Sequence, residues 1–248
     1  MRFAWRVLYD WLAWRYPAPW WTVTNYGYLA RDDPATVDTM TAGAALYRRV
    51  AGPLHERRSV LDIGCGRGGG LAALLADNPG LQAVGIDQSL VSLSLARARV
   101  PRVDFRAADF ARLPVAAGAF DLVISVEALH HAENLSAAIR EARRVVAPGG
   151  ALRIATFLTP GQVRLLRAAG PWDSWVDLAP EVHRALVATA AERARRVATA
   201  AWPVRPLLRR FAGSAVEQGL ASGALAYPFV TWRCEGWIER DRVGQGPF

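Results

Sequence analysis

Three carboxylates stand where an apolar run gives way to a turn: Asp62 in VLDIGCGRGGG, Asp87 in AVGIDQS and Asp109 in FRAADF. Each can accept hydrogen bonds or hold a cation. The first is followed by five glycines within residues 64–70. A glycine loop lets backbone N–H groups approach a ligand closely. A nucleoside triphosphate would need a lysine in such a loop, and the chain has none. A dinucleotide fits the spacing of Gly64, Gly66 and Gly69. Its pyrophosphate, however, would lie beside Asp62 and be repelled. A ligand with an ammonium and no phosphate would be welcomed. S-adenosyl-L-methionine (SAM) is such a ligand, and its sulfonium adds a second cation. Asp87, 23 residues after Gly64, suits a carboxylate accepting from both ribose hydroxyls. Asp109 suits the adenine amino group, with Phe110 beside the ring. Singly, each acid could merely cap a helix. In this order, the three match successive parts of one ligand.

These acids need strand ends to hold them. SVLDIG, LQAVGID, VDFRAAD, FDLVISV and ALRIATF read as buried strands, short and apolar. Helix patterns alternate with them. Leu71, Leu74 and Leu75 mark one. Ser89 caps the next, with Leu90 and Leu93 expected to face inward. Leu135, Ala138, Ile139, Ala142, Val145 and Val146 mark the clearest, which APGG should end. Alternation of this kind predicts an α/β fold: a Rossmann-like, doubly wound, mostly parallel seven-stranded sheet. A single domain over 1–248 is expected. It divides into an N-terminal cap (1–55), a core (56–158), a mainly helical insert that shapes the acceptor site (159–225), and a last strand and tail (226–248). LAYPFVTWRC should return to the sheet edge, where Pro228 is tolerable. The tail from Glu235 should be loose.

Composition narrows the function. The net charge is +8, but all 30 basic residues are arginines spread along the chain. That pattern resembles a coding bias more than a nucleic-acid footprint, so no nucleic-acid partner is expected. Cys65 and Cys234 form no disulfide or zinc pattern, and no metal is expected. The N-terminus is apolar but broken by Arg6, Asp10 and Arg15, unlike a signal peptide. A cytoplasmic protein without stable membrane insertion follows as the expectation, and homodimerisation stays open. Five of ten tryptophans fall in the first 21 residues, and Trp172 and Trp175 sit in the insert. Most should pack the cap onto the sheet; some suit a flat or greasy acceptor.

As a set, VLDIGCGRGGG, VGIDQS, AADFARLPV, FDLVISVEALHH and RRVVAPGG resemble the class I SAM-dependent methyltransferases. NYGY, residues 25–28, is similar to the cofactor-covering segment of small-molecule methyltransferases. VEALHH is similar to that segment in sugar O-methyltransferases of natural-product pathways. Residues 211–234 resemble, more loosely, the phthiotriol and phenolphthiotriol methyltransferases. The resemblance implies SAM as cofactor and S-adenosyl-L-homocysteine as product. It implies contacts from Tyr28, Asp62, Gly64, Cys65, Gly66, Asp87, Gln88, Asp109, Phe110 and Ser125. The expected reaction is methyl transfer to a hydrophobic small molecule, at a hydroxyl, in a biosynthetic pathway. Methylation at carbon or nitrogen, a cyclase on the same fold, and a non-catalytic partner subunit remain as alternatives. His130 and His131 are the candidate bases. Adjacent side chains diverge, so at most one should reach the acceptor, with His131 the further from the strand. Transfer by positioning alone needs neither. His55 should lie on the surface, and His183 should be structural.

Overall fold

The computed structural model describes residues 10, 11, 14, 22–200, 204–211 and 213–235. Helix α1 (Thr39–Ala51) leads into strand β1 (Ser59–Ile63), α2 (Gly69–Asp77), β2 (Gln82–Asp87), α3 (Leu90–Arg99), β3 (Asp104–Ala107) and β4 (Phe120–Val126). A 3-10 turn (Leu129–His131) precedes α4 (Leu135–Arg144) and β5 (Val146–Ala155). Then come α5 (Pro160–Ala168), β6 (Ser174–Asp177), α6 (Ala179–Thr199), α7 (Val204–Phe211), α8 (Ser214–Ala221) and β7 (Pro228–Arg233).

The described strands form one seven-stranded sheet in the order β3-β2-β1-β4-β5-β7-β6. Strands β1 to β5 pair in parallel, and β7 runs antiparallel to both β5 and β6. This is the α/β architecture that the alternating pattern predicts. The order reverses direction between β1 and β4, which opens a crevice at their carboxyl ends. Two buried clusters cover the two faces. One holds Val60, Leu46, Leu71 and Leu93; the other holds Leu61, Ile63, Val123 and Ile139. Alternation along β1 therefore puts Asp62 on the face beneath α1.

Several expectations need correction. Strand β7 is not at the edge: it lies between β5 and β6. Pro228 is accommodated because it is the first residue of the strand. The sixth strand, SWVD, sits inside the span expected to be mainly helical. Leu90 is 65% exposed, while Leu93 is buried. Leu90 is the first residue of α3, whose inward face begins at Ser92 and Leu93. Helix α4 stops at Arg144, and Val145 and Val146 are buried beyond it, so an apolar strand start continued the helical period. The Trp-rich cap falls mostly outside the described residues. Within it, Trp11 and Trp14 are 36% and 69% exposed. The tail beyond Glu235 lies outside them as well.

Candidate functional site

The carboxyl ends of β1 and β2 are laced together by the glycine loop. The backbone N–H groups of Gly64 and Cys65 both donate to the Ile86 carbonyl, at 2.7 and 3.0 Å. Gly66 N–H donates to Asp87 Oδ2 at 2.8 Å, and Ser89 N–H to Asp87 Oδ1 at 2.8 Å. Ser89 then caps α3 by accepting from Ser92 N–H. Asp87 is thus anchored at the rim of the loop. Burial pushes its pKa up, and the backbone N–H bonds oppose that push. Glycine is required at Gly64: its φ is +85°, and a Cβ there would lie 2.0 Å from the Ala128 Cβ. The loop after β4 therefore presses directly on the glycine loop. Ser125 fastens the same junction by donating to the Ile63 carbonyl at 2.8 Å.

Asp62 is fully buried. Its Oδ2 accepts from the Tyr47 hydroxyl at 3.1 Å, and Oδ1 has no partner among the described residues. Such an orphaned buried acceptor is costly unless something donates to it. Burial lifts the Asp62 pKa to about 7; the Tyr47 hydroxyl opposes this and nearby Asp87 adds to it. The residues fit an ammonium-bearing nucleoside. Asp62 Oδ1 offers an acceptor for the cation, Asp87 offers spare lone pairs for vicinal hydroxyls, and Gly64 admits no side chain.

A strap formed by residues 22–28 lies across this loop. Gly69 N–H donates to the Thr22 carbonyl at 3.2 Å, and a Cβ at Gly66 would touch Thr24 Oγ1 at 3.4 Å. Asn25 holds Gly43, and Tyr28 N–H donates to the Ala42 carbonyl. The half-buried Tyr28 side chain packs against the core. Thr22 and Thr24 thus bring the strap to the loop, and NYGY follows them along α1.

The remaining candidates scatter around the crevice. Cys65 is buried, and burial pushes its thiol pKa up. Gln88 is half-buried directly after β2. Asp109 is exposed and turns Oδ1 toward Ala111 N–H at 2.7 Å; Phe110 is buried. His130 and His131 form the 3-10 turn after β4, with ring centroids 3.9 Å apart. The His130 Nδ1 lies 2.8 Å from Thr156 Oγ1, and its ring packs on Phe157 at 4.4 Å. Burial, then the charge of His131, holds the His130 pKa well below its ordinary value. Phe157 also packs on Tyr26 from the strap. Tyr26, Phe157, His130 and His131 thus form one continuous row of ring contacts after β4 and β5. His55 is exposed beside Glu56, and His183 is half-buried on α6.

Two parts of this site escaped the sequence reading. Nothing in the pattern of α1 marks Tyr47 as a partner for Asp62. Glu127 is different: it is an acid directly after an apolar strand, the same signal that singled out Asp62, Asp87 and Asp109.

A family model described as a methyltransferase domain matches residues 61–154. That stretch is similar to a methyltransferase domain. The methyltransferase GfsG of Streptomyces halstedii is 36% identical over 149 residues, 55% of this chain and 51% of that protein. The 27-O-demethylrifamycin SV methyltransferase of Amycolatopsis mediterranei is 34% identical over 146 residues, 56% of this chain and 53% of that protein. The chain therefore spans about half the length of these curated relatives. The solved (4+2)-cyclase SpnF shares the fold of this chain. Its TM-score is 0.75 at 23% identity, covering 95% of this chain and 97% of that one. No helix among the described residues is long and apolar enough to cross a membrane.

The pH dependence of ligand binding follows from Asp62. With its pKa near 7, the carboxyl is largely protonated below that pH and cannot pair with an ammonium. Affinity for SAM should rise as pH increases toward 7. It should fall again above about 8, where an α-amino group loses its own proton. Calorimetry across this range checks it, and Asp62→Asn should remove the rising limb. A flat wild-type profile would separate Asp62 from the ammonium.

Proposed function

We propose that this chain is a SAM-dependent methyltransferase acting on a hydrophobic small molecule, at a hydroxyl, in a natural-product type of pathway. The observation that carries this reading is Asp62 Oδ1, a buried and unpartnered acceptor on β1 just before a glycine loop anchored to Asp87. Bound there, SAM would supply a methyl carbon already activated by its sulfonium. The chain's residues do the rest. Asp62 receives the ammonium, Asp87 the ribose hydroxyls, and the turn at Asp109–Phe110 the adenine. The strap excludes water from the crevice. The row of Tyr26, Phe157 and His130 suits a flat apolar acceptor. His131, at the end of that row, receives the hydroxyl proton as the oxygen attacks.

The relatives named as methyltransferases, one of them for 27-O-demethylrifamycin SV, agree with this class. They leave the acceptor unnamed for this chain, because the match spans only about half of each. Purified protein should be incubated with SAM and extracts of candidate metabolites. The expected result is a product heavier by about 14 Da in mass spectrometry, the replacement of H by CH3, with S-adenosyl-L-homocysteine formed alongside. Fragmentation of that product separates transfer to oxygen from transfer to carbon or nitrogen. A rearranged product of unchanged mass would favour a cyclase instead.

A further inference from the structure

Glu127 interrupts an apolar stretch at the carboxyl end of β4. It is the one non-glycine among the described residues with a positive φ, +50°. That conformation persists only where the surroundings enforce it. Here the backbone N–H donates to the Ala155 carbonyl at 2.8 Å. The side chain does more. Its Oε1 accepts from the Tyr26 N–H of the strap at 3.1 Å and from the Tyr227 hydroxyl at 2.7 Å. A single oxygen thus ties the strap to the C-terminal part of the sheet. Tyr227 is fully buried. Among the described residues, nothing donates to Oε2, and no cation pairs with the carboxylate.

A neutral amide could accept from the same two donors, whereas a half-buried carboxylate without a cation is expensive. Its position suggests where a cation would come from. The next residue, Ala128, is the one pressed against Gly64 of the glycine loop. Glu127 therefore stands between the loop and the strap. The groups facing it are Tyr26 on the strap, Tyr227 with Tyr47 and then Asp62 behind it, and His130 and His131 on its own turn. Arg193 on α6 stands beyond Tyr26 and pairs with Glu217.

We propose that Glu127 is a positioning residue that reads the charge of the bound cofactor and passes it to the strap. This rests on the methyltransferase reading above. Beside a cationic ligand the carboxylate stays ionised and grips the Tyr26 N–H. Beside a neutral one it takes a proton from solvent and loosens its grip. Burial places the Glu127 pKa at about 7, so a modest change in local charge flips it. A unit charge at close range moves a carboxyl pKa by about 1–3. Methyl transfer makes that change, because the sulfonium becomes a neutral thioether. The strap would then hold while SAM is in place and relax on S-adenosyl-L-homocysteine, favouring product release.

The test uses the full chain with those two ligands and needs no acceptor. Calorimetry first establishes that both bind. Carbon-13 NMR on glutamate-labelled protein, assigned with Glu127→Gln, then follows the Glu127 carboxyl near pH 6. It should be ionised with SAM and protonated with S-adenosyl-L-homocysteine. The Tyr26 amide should exchange about fivefold more slowly with SAM, since a bond to a charged acceptor is roughly twice as strong as one to a neutral acceptor. In Glu127→Gln the amide oxygen can still accept from Tyr26, so the difference in exchange between ligands should vanish, while SAM affinity should fall by about tenfold or more, the reciprocal of the charge coupling. Should that variant misfold, the wild-type comparison decides alone. Equal ionisation and equal exchange with both ligands overturns the latch and leaves the methyltransferase reading intact. Failure of SAM to bind overturns both.

Discussion

Asp87→Ala should weaken SAM binding by about 2–4 kcal/mol, roughly 30- to 900-fold, on the scale of hydrogen bonds to a charged acceptor. The structure gives two reasons for so large an effect. Each Asp87 oxygen already accepts one backbone N–H, from Gly66 or Ser89, and each retains a lone pair for a ribose hydroxyl. Removing the carboxylate would therefore delete ligand contacts and release the glycine loop from β2 at once. Asp87→Asn separates the two contributions, because its amide oxygen can still accept from Gly66. Its loss should be smaller than that of the alanine variant. Calorimetry on protein verified as folded by circular dichroism reads both. Unchanged affinity in Asp87→Ala would end the ribose assignment, and tight binding of NAD by the wild type would end the cofactor reading.

The second large effect is expected at His131. Once the acceptor has been found by its mass gain, His131→Ala should lower kcat by about 10²–10⁴-fold while SAM affinity stays nearly intact. The surroundings of His130 make it the weaker base of the pair. The His130 ring is committed to Thr156 and Phe157, and burial holds its pKa well below the ordinary value, which weakens it as a proton acceptor. The acidic limb of the pH–rate profile should disappear with His131. Loss of rate in His130→Ala alone would reverse the roles. Full rate in both variants would mean that alignment suffices or that the acceptor carries no proton to remove.

The core was legible because burial and period coincide there. FDLVISV became β4 residue for residue, and Asp87 ends β2, while Asp62 lies one residue inside β1 and Asp109 two residues beyond β3. Legibility failed where a short segment's partner is distant. SWVD has only four residues and pairs with a strand that follows 50 residues later, so no local signal identifies it. β7 looked like an edge strand because Pro228 is tolerated there, yet position within a strand matters as much as position within a sheet. The same limit hid Tyr47 and Tyr227. Each is an ordinary buried aromatic until tertiary contact brings its hydroxyl to Asp62 or Glu127. The acids themselves were readable; their donors were not.

The placement of β7 between β5 and β6 also bears on the order in which the molecule assembles. Strands β1 to β5 pair through crossovers of ordinary length, whereas β6 can join the sheet only after α6, α7 and α8 have been spanned and β7 has docked. Long-range pairings of this kind form late, and they also open first in the native state. Tyr227, which steadies Glu127, belongs to that late unit. A partly opened molecule would therefore keep Asp62 and Asp87 in place but lose the tie between strap and sheet. It would still recognise the nucleoside and could no longer enclose it. Amides of β6 and β7 should accordingly exchange as one cooperative group, faster than those of β1 and β4, and a ligand that needs the closed strap should slow that group specifically.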